Sequence, residues 1–185
     1  MRAKIPNARE KLLANGREAL LRGEYSGLSI PEVAAQCGMA TGSVYSYFKN
    51  KDDLVLSVIT DEWDQILNEI EENVTHEKSN RENSEYIYNK LYNFEKEFHF
   101  LYMGIINKND EIRDESRRQM RRMCDMLGDK LEEGVRYGNV ALPADSRKIA
   151  YVLVQICLLA GRNPELSFED IWSVVHIKDM IGTHE

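Results

Sequence analysis

Apolar side chains recur along this chain at helical spacing almost throughout. In residues 7–22, Ala8, Leu12, Leu13, Ala19 and Leu20 share one helix face, and Gly23 predicts the end of that helix. Ser29 and Glu32 form an S-x-x-E pair, which predicts a capped start for a short helix over 30–36. Pro31 falls in its first turn, where a missing N–H costs nothing. Gly38 suits a left-handed turn, and Thr41 is placed to cap a second short helix reaching Phe48. Two short helices joined by a tight glycine turn predict a helix-turn-helix. Ala34 is small enough to let them approach, and Val33, Cys37, Met39 and Val44 supply their shared core.

A long helix is predicted over 52–75, striped by Leu54, Val58, Ile59, Trp63, Ile66, Leu67, Ile70 and Val74. The polar stretch 76–83 reads as a loop, and 84–107 as an aromatic-rich helical segment that breaks into two near Phe98. A further helix over 110–137 closes at Gly138-Asn139. Pro143 opens a very apolar helix ending at Ala160, and Ser167 with Glu169 and Asp170 begins a last one running to about Ile181. The pattern predicts an all-α fold of about nine helices. It divides near residue 52 into an N-terminal helix-turn-helix domain, 1–51, and a C-terminal helical domain, 52–185.

Composition narrows the function classes. The chain has 185 residues, 43% hydrophobic and 30% charged, with only 4 Pro and 11 Gly, which excludes a disordered or fibrous chain. Its longest apolar run, 149–161, is interrupted by Gln155 and falls short of the roughly 20 residues a spanning helix needs. The N-terminus lacks a continuous apolar signal region, so no membrane association is expected and the cytoplasm is the expected compartment. Cys37, Cys124 and Cys157 are far apart and read as reduced, buried small residues; the four histidines are equally scattered. No metal, no cofactor and no catalytic residue is expected, because no GxSxG, phosphate loop or HExxH occurs.

The net charge of −7 hides a division. Residues 1–51 carry eight basic and four acidic side chains, whereas 52–185 carry 16 basic and 27 acidic. A small basic module beside an acidic remainder points to a polyanion partner at the N-terminal end. The helix after the turn offers the matching chemistry. Short Thr41, Gly42 and Ser43 let a backbone come close to base edges, and Tyr45 can pack on a thymine methyl or donate to phosphate. Tyr47 and Lys51 are placed for the sugar-phosphate backbone, and Ser29 can donate to a phosphate as well as cap. Arg2 and Lys4 form a short basic arm.

The segment CGMATGSVYSYFKNKDDL, with Gly38, Gly42, Tyr45, Phe48, Lys51 and Leu54, closely resembles the DNA-reading end of the tetracycline-repressor-like (TetR) family of bacterial transcriptional regulators. The resemblance covers about residues 8–60. Asn15-Gly16 departs from it, standing where an Ala pair is common. The resemblance implies a homodimer that binds double-stranded DNA at an inverted-repeat operator, represses transcription and has no enzymatic activity. It also implies a small-molecule effector held in the C-terminal domain.

Seven of the fourteen Tyr and Phe residues lie between Tyr86 and Tyr102, with several Met following. Tyr92, Phe98, Tyr102, Met120 and Met123 are therefore candidate effector contacts, and the acidic surroundings, with Glu95 and Glu97, suit an apolar or cationic ligand. Val152, Ile156, Leu159, Ile171, Trp172 and Val175 supply more apolar face than one small domain needs and are the candidate dimer contacts. Two alternatives stand beside this reading: a DNA-binding regulator or architectural protein without small-molecule input, and a helical enzyme or cofactor carrier.

Overall fold

The computed structural model describes residues 6–106 and 109–175, apart from the side chains of 23, 24 and 100–106. Within these the chain forms eight helices: α1 (Ala8–Gly27), α2 (Ile30–Gln36), α3 (Thr41–Val44), α4 (Lys51–Asn73), α5 (Asn80–Ile106), α6 (Asp110–Arg136), α7 (Ser146–Arg162) and α8 (Phe168–Val174). No strand element occurs among the described residues, and no described helix is long and apolar enough to cross a membrane. The basic arm, Arg2 and Lys4, and the stretch to Ile181 lie outside the described residues.

The chain packs as two units. One comprises Met1–Asp64 and Phe100–Ser116, the other Gln65–His99 and Arg117–Glu185. In the first, the predicted stripes are buried: Leu12, Leu20, Val33, Ala34, Val44, Leu54, Val58 and Ile59 are almost entirely inaccessible, and Val55, outside the predicted stripe, is buried with them. Gly16 is part of this design, because a Cβ there would stand 3.2 Å from Val58 Cγ2 and 3.3 Å from Leu54 Cδ1. The helix α1 therefore lies close on α4 where a larger residue would hold it off.

Several helix ends differ from the periodicity. Gly23 does not end α1, which continues to Gly27. An interior glycine costs about 1 kcal/mol relative to alanine, and the added turn has a tertiary anchor, since Tyr25 donates to Asp52 Oδ1. Ser29 is the N-cap of α2, yet its side chain makes no capping bond, so the expected box with Glu32 is not formed. The N-cap of α3 is Ala40, which places Thr41 inside the helix. The helix α4 starts at Lys51, where Asn50 Oδ1 accepts from Asp53 N at 2.9 Å and Asp53 Oδ2 accepts from Lys49 N at 2.7 Å.

In the second unit, α5 begins earlier than the polar stretch 76–83 suggests. A capping box does this: Ser79 Oγ accepts from Glu82 N, and Glu82 accepts in turn from Ser79 N. The Ser79 hydroxyl, donating to Glu82 Oε2 at 2.8 Å, and then the Ser79 N–H hold the Glu82 carboxyl below its usual pKa. The segment runs unbroken past Phe98 as one helix to Ile106. Pro143 precedes α7, whose cap is Asp145, accepting from Lys148 N. The expected start of α8 is present, with Ser167 and Asp170 forming a reciprocal box.

Glycine permits a close approach between α5 and α7. A Cβ on Gly161 would lie 2.7 Å from Glu95 Cβ and 2.8 Å from the Tyr92 carbonyl oxygen. Overpacking of this kind costs about 1–3 kcal/mol. Gly161→Ala should lower the denaturation midpoint by a corresponding amount, measured in urea. An unchanged midpoint would mean that the two helices do not meet at this point.

Candidate nucleic-acid interface

The helix-turn-helix is built on one glycine-closed turn and two buried side chains. Helix α2 ends in a Schellman motif: Gly38, at φ 66°, donates to Ala35 O, and Met39 donates to Ala34 O at 2.8 Å. This left-handed residue turns the chain into α3. The helix α3 is only four residues long and tapers into turns, with Tyr47 N and Phe48 N both donating to Val44 O. Val44 and Phe48 point inward and are buried, and the Arg9 guanidinium lies 5.8 Å from the centre of the Phe48 ring.

Inward Val44 and Phe48 force their neighbours outward. Gly42, Ser43 and Tyr45 are exposed, Tyr45 to 53%, and Thr41 and Tyr47 are half-buried. Nothing lies within 4 Å of where a Gly42 Cβ would be. The chain's own packing therefore does not demand glycine there, which fits a position reserved for an outside body. Ser29 sits half-buried at the head of α2 with its hydroxyl free of a capping duty. Cys37, expected to be buried, is only half-buried: its Sγ accepts from Asn15 Nδ2 and donates to Lys11 O. Cys124 and Cys157 are buried, and all three are free thiols.

Beside this head, Lys51 Nζ lies 4.4 Å from the centroid of the Tyr25 ring. The Tyr25 hydroxyl donates to Asp52 Oδ1, and Asn109 Nδ2 donates to Asp52 Oδ2 at 3.1 Å. Asn109 also caps α6, its Oδ1 accepting from Glu111 N and Ile112 N. The Tyr25 phenol is pushed up to about 12, first by its bond to Asp52, then by burial and by the charge of that carboxylate. Sequence reasoning missed Tyr25 and Asn109, since neither belongs to the helix-turn-helix and their partner is distant in the chain.

The second unit holds a cavity of about 110 Å³. Its wall is largely apolar, including Ile87, Tyr88, Leu127, Leu131, Leu153, Cys157, Phe168, Ile171 and Trp172, and His76, Lys78, Lys130 and Glu133 bring polar groups to it. These polar groups are already engaged. Lys130 Nζ donates to Glu71 O and Val74 O, Lys78 Nζ to Asn73 O, and His76 Nδ1 stands 3.5 Å from Glu133 Oε1.

Of the expected effector contacts, Tyr92, Phe98, Met120 and Met123 do not line that cavity. Phe98 and Met123 are buried in the core, with Phe98 stacked on Phe94; Met120 Sδ accepts from Gln155, and Tyr92 is half-buried. The side chain of Tyr102 lies outside the described residues. Glu95 is buried and accepts from Arg162 Nε at 2.5 Å, with His99 Nδ1 at 2.7 Å. Its charge is compensated within the protein and does not await a cationic ligand. Of the expected dimer contacts, Val152 and Leu159 are more than half exposed, with Ile156 half-buried on the same α7 face. Ile171, Trp172 and Val175 instead line the cavity.

Residues 12–58 match the family described as bacterial regulatory proteins, tetR family. A fatty acid metabolism regulator protein of Bacillus subtilis (strain 168) is 24% identical over 134 residues, covering 70% of this chain and 69% of that protein. Among solved structures, Escherichia coli NemR in its reduced form superposes with a TM-score of 0.76 at 20% identity, over 92% of this chain and 97% of the other. The regulator FadR of Bacillus subtilis, crystallised with stearoyl-CoA, gives 0.64 at 20% identity, over 90% and 94%.

Proposed function

From the premise that the chain is a DNA-binding transcriptional regulator of the TetR family, we propose that it is a homodimeric repressor released from its operator by a small apolar ligand. Residues 1–51 read DNA in this account, and 52–185 sense the effector and dimerise. The observation that carries the proposal is the outward row of Gly42, Ser43 and Tyr45 over a buried Val44 and Phe48. Side chains of this size, held rigidly from behind, can enter a major groove and meet base edges. Thr41, Tyr47, Lys51 and Ser29 flank them and serve the sugar-phosphate backbone, fixing register without reading sequence.

A dimer follows from α7. Tyr151, Val152 and Leu159 each leave more than half of their surface exposed, which is costly for an isolated chain, and a two-fold partner would cover them. Two heads would then address half-sites about 34 Å apart. Sedimentation velocity at micromolar concentration should return a dimer, and a monomer would contradict this part of the proposal.

For the effector, the apolar cavity offers a site. A cavity of about 150 Å³ takes benzene, so 110 Å³ has room for a group of about one ring or a short aliphatic segment rather than a long acyl chain. Its lysines already serve the carbonyls at the end of α4, and its carboxylate already faces His76. A neutral apolar group therefore fits better than an ion. Such a ligand shifts DNA affinity only through its preference for one arrangement of the protein, about 1.4 kcal/mol for each factor of ten.

Two measurements follow. Tyr45→Ala should cost on the order of 1–3 kcal/mol of operator binding, whereas Lys51→Ala should weaken binding to all sequences alike; if both variants fold yet bind as wild type, the assignment of the head fails. Leu153→Phe, which fills the cavity, should abolish the rise in melting temperature that ring-sized neutral compounds give to the wild type. A shift that survives this substitution would place the effector elsewhere.

A further inference from the structure

Lysine at the entrance of a helix that begins Lys51-Asp52-Asp53 stands beside two carboxylates, and an ammonium paired with either would be a poor phosphate ligand. The structure shows how each carboxylate is taken up. Asp53 accepts from the backbone N–H of Lys49 at 2.7 Å. Asp52 is held at both oxygens, Oδ1 by the Tyr25 hydroxyl and Oδ2 by Asn109 Nδ2 at 3.1 Å. Among the described residues no carboxylate pairs with the Lys51 ammonium, whose contact is the face of the Tyr25 ring at 4.4 Å. One residue from the last turn of α1 thus touches both members of the neighbouring charge pair, through different parts of its side chain.

We propose that Tyr25 is a positioning residue for DNA binding: its ring carries the Lys51 ammonium and its hydroxyl fixes the Asp52 carboxylate, which keeps the two from neutralising each other and leaves Lys51 for a DNA phosphate. The inference rests on the DNA-binding reading above. The physical reasoning has three parts. A cation over an aromatic face keeps its full charge and most of its hydration, so it can still meet a phosphate. A carboxylate that accepts two hydrogen bonds is immobilised and partly screened, which lowers its repulsion of an approaching polyanion. Asn109 strengthens the arrangement because its own orientation is set by its capping bonds to Glu111 N and Ile112 N. The continuation of α1 past Gly23 also gains a purpose: the extra turn is what brings Tyr25 to Lys51 and Asp52.

The test uses the full chain and two labelled duplexes, one carrying the site recovered by selection from a random library with the wild-type protein, the other unrelated in sequence. Affinity for each is measured as a function of KCl concentration. Loss of one phosphate contact lowers the slope of log K against log salt by about 1, and Lys51→Ala should show that loss on both duplexes. Tyr25→Leu, which removes the ring and the hydroxyl, should reproduce it, with affinity reduced about tenfold and the slope lowered by about 1. Adding Asp52→Asn to Tyr25→Leu should restore affinity to within about threefold of wild type and recover the slope, because the carboxylate that captures Lys51 is gone.

Tyr25→Leu with unaltered affinity and slope would overturn the proposal. So would a double variant no better than the single one, since the loss would then come from packing or from a direct contact of Tyr25 with DNA. Tyr25→Phe keeps the ring and serves if Tyr25→Leu melts below the assay temperature; it should lose about threefold, again recovered by Asp52→Asn. A wild-type protein that binds neither duplex, or a Lys51→Ala variant that binds both as wild type does, refutes the DNA-binding reading instead of the role of Tyr25.

Discussion

The helix-turn-helix depends on the burial of two side chains, Val44 and Phe48, which are 0% and 2% exposed. A helix of four residues has no stability of its own, because nucleation costs more than so few hydrogen bonds return. The geometry of α3 is therefore imposed from outside, by the apolar surface behind it and by the left-handed turn at Gly38. Everything presented outward follows from that inward pair: with Val44 and Phe48 fixed, Gly42, Ser43 and Tyr45 have only the solvent side left. Gly16 serves the same end from further away, letting α1 lie close on α4 at Leu54 and Val58.

How far the fold could be read from the sequence tracks how local its causes are. The helix-turn-helix was legible because its determinants, a glycine after a short amphipathic run and apolar residues three and four apart, lie within a few residues of one another. The end of α1 was not, because its last turn is secured by Tyr25 bonding to Asp52, 27 positions away, against the local signal of Gly23. The cap at Ser79 and Glu82 was visible as S-x-x-E but lost in a polar stretch that resembles a loop. At the other end of the chain, the start of α8 at Ser167 was legible because its cap and its apolar run are adjacent.

The cavity of the second unit shows the opposite limit. Clustered aromatics and methionines at helical spacing say that a face is buried but not whether it meets other side chains or a space. Phe98 and Met123 meet side chains. The space is bounded instead by residues from both ends of the second unit, from Val74 to Val175, drawn from several helices and the loop at His76, a set with no signature in one dimension. Counting charge along a domain has a related limit. Glu95 adds to the acidic count of its domain, yet Arg162 pairs with it inside the fold. The division of charge between the two ends of the chain is likewise a property of the sequence, eight basic and four acidic residues in 1–51, and acids from later in the chain reach some of those bases, as Glu62 does Arg17.

The central claim is that this chain recognises a particular DNA sequence through the head that Val44 and Phe48 hold in place. Equilibrium anisotropy titrations of the wild-type protein, at one fixed salt concentration, on a duplex carrying its selected inverted repeat and on the same duplex with both half-sites scrambled, test this most directly. The account predicts binding to the intact repeat tighter by about 10³ or more, as for specific DNA-binding proteins in general. Equal affinity for the two duplexes would contradict it.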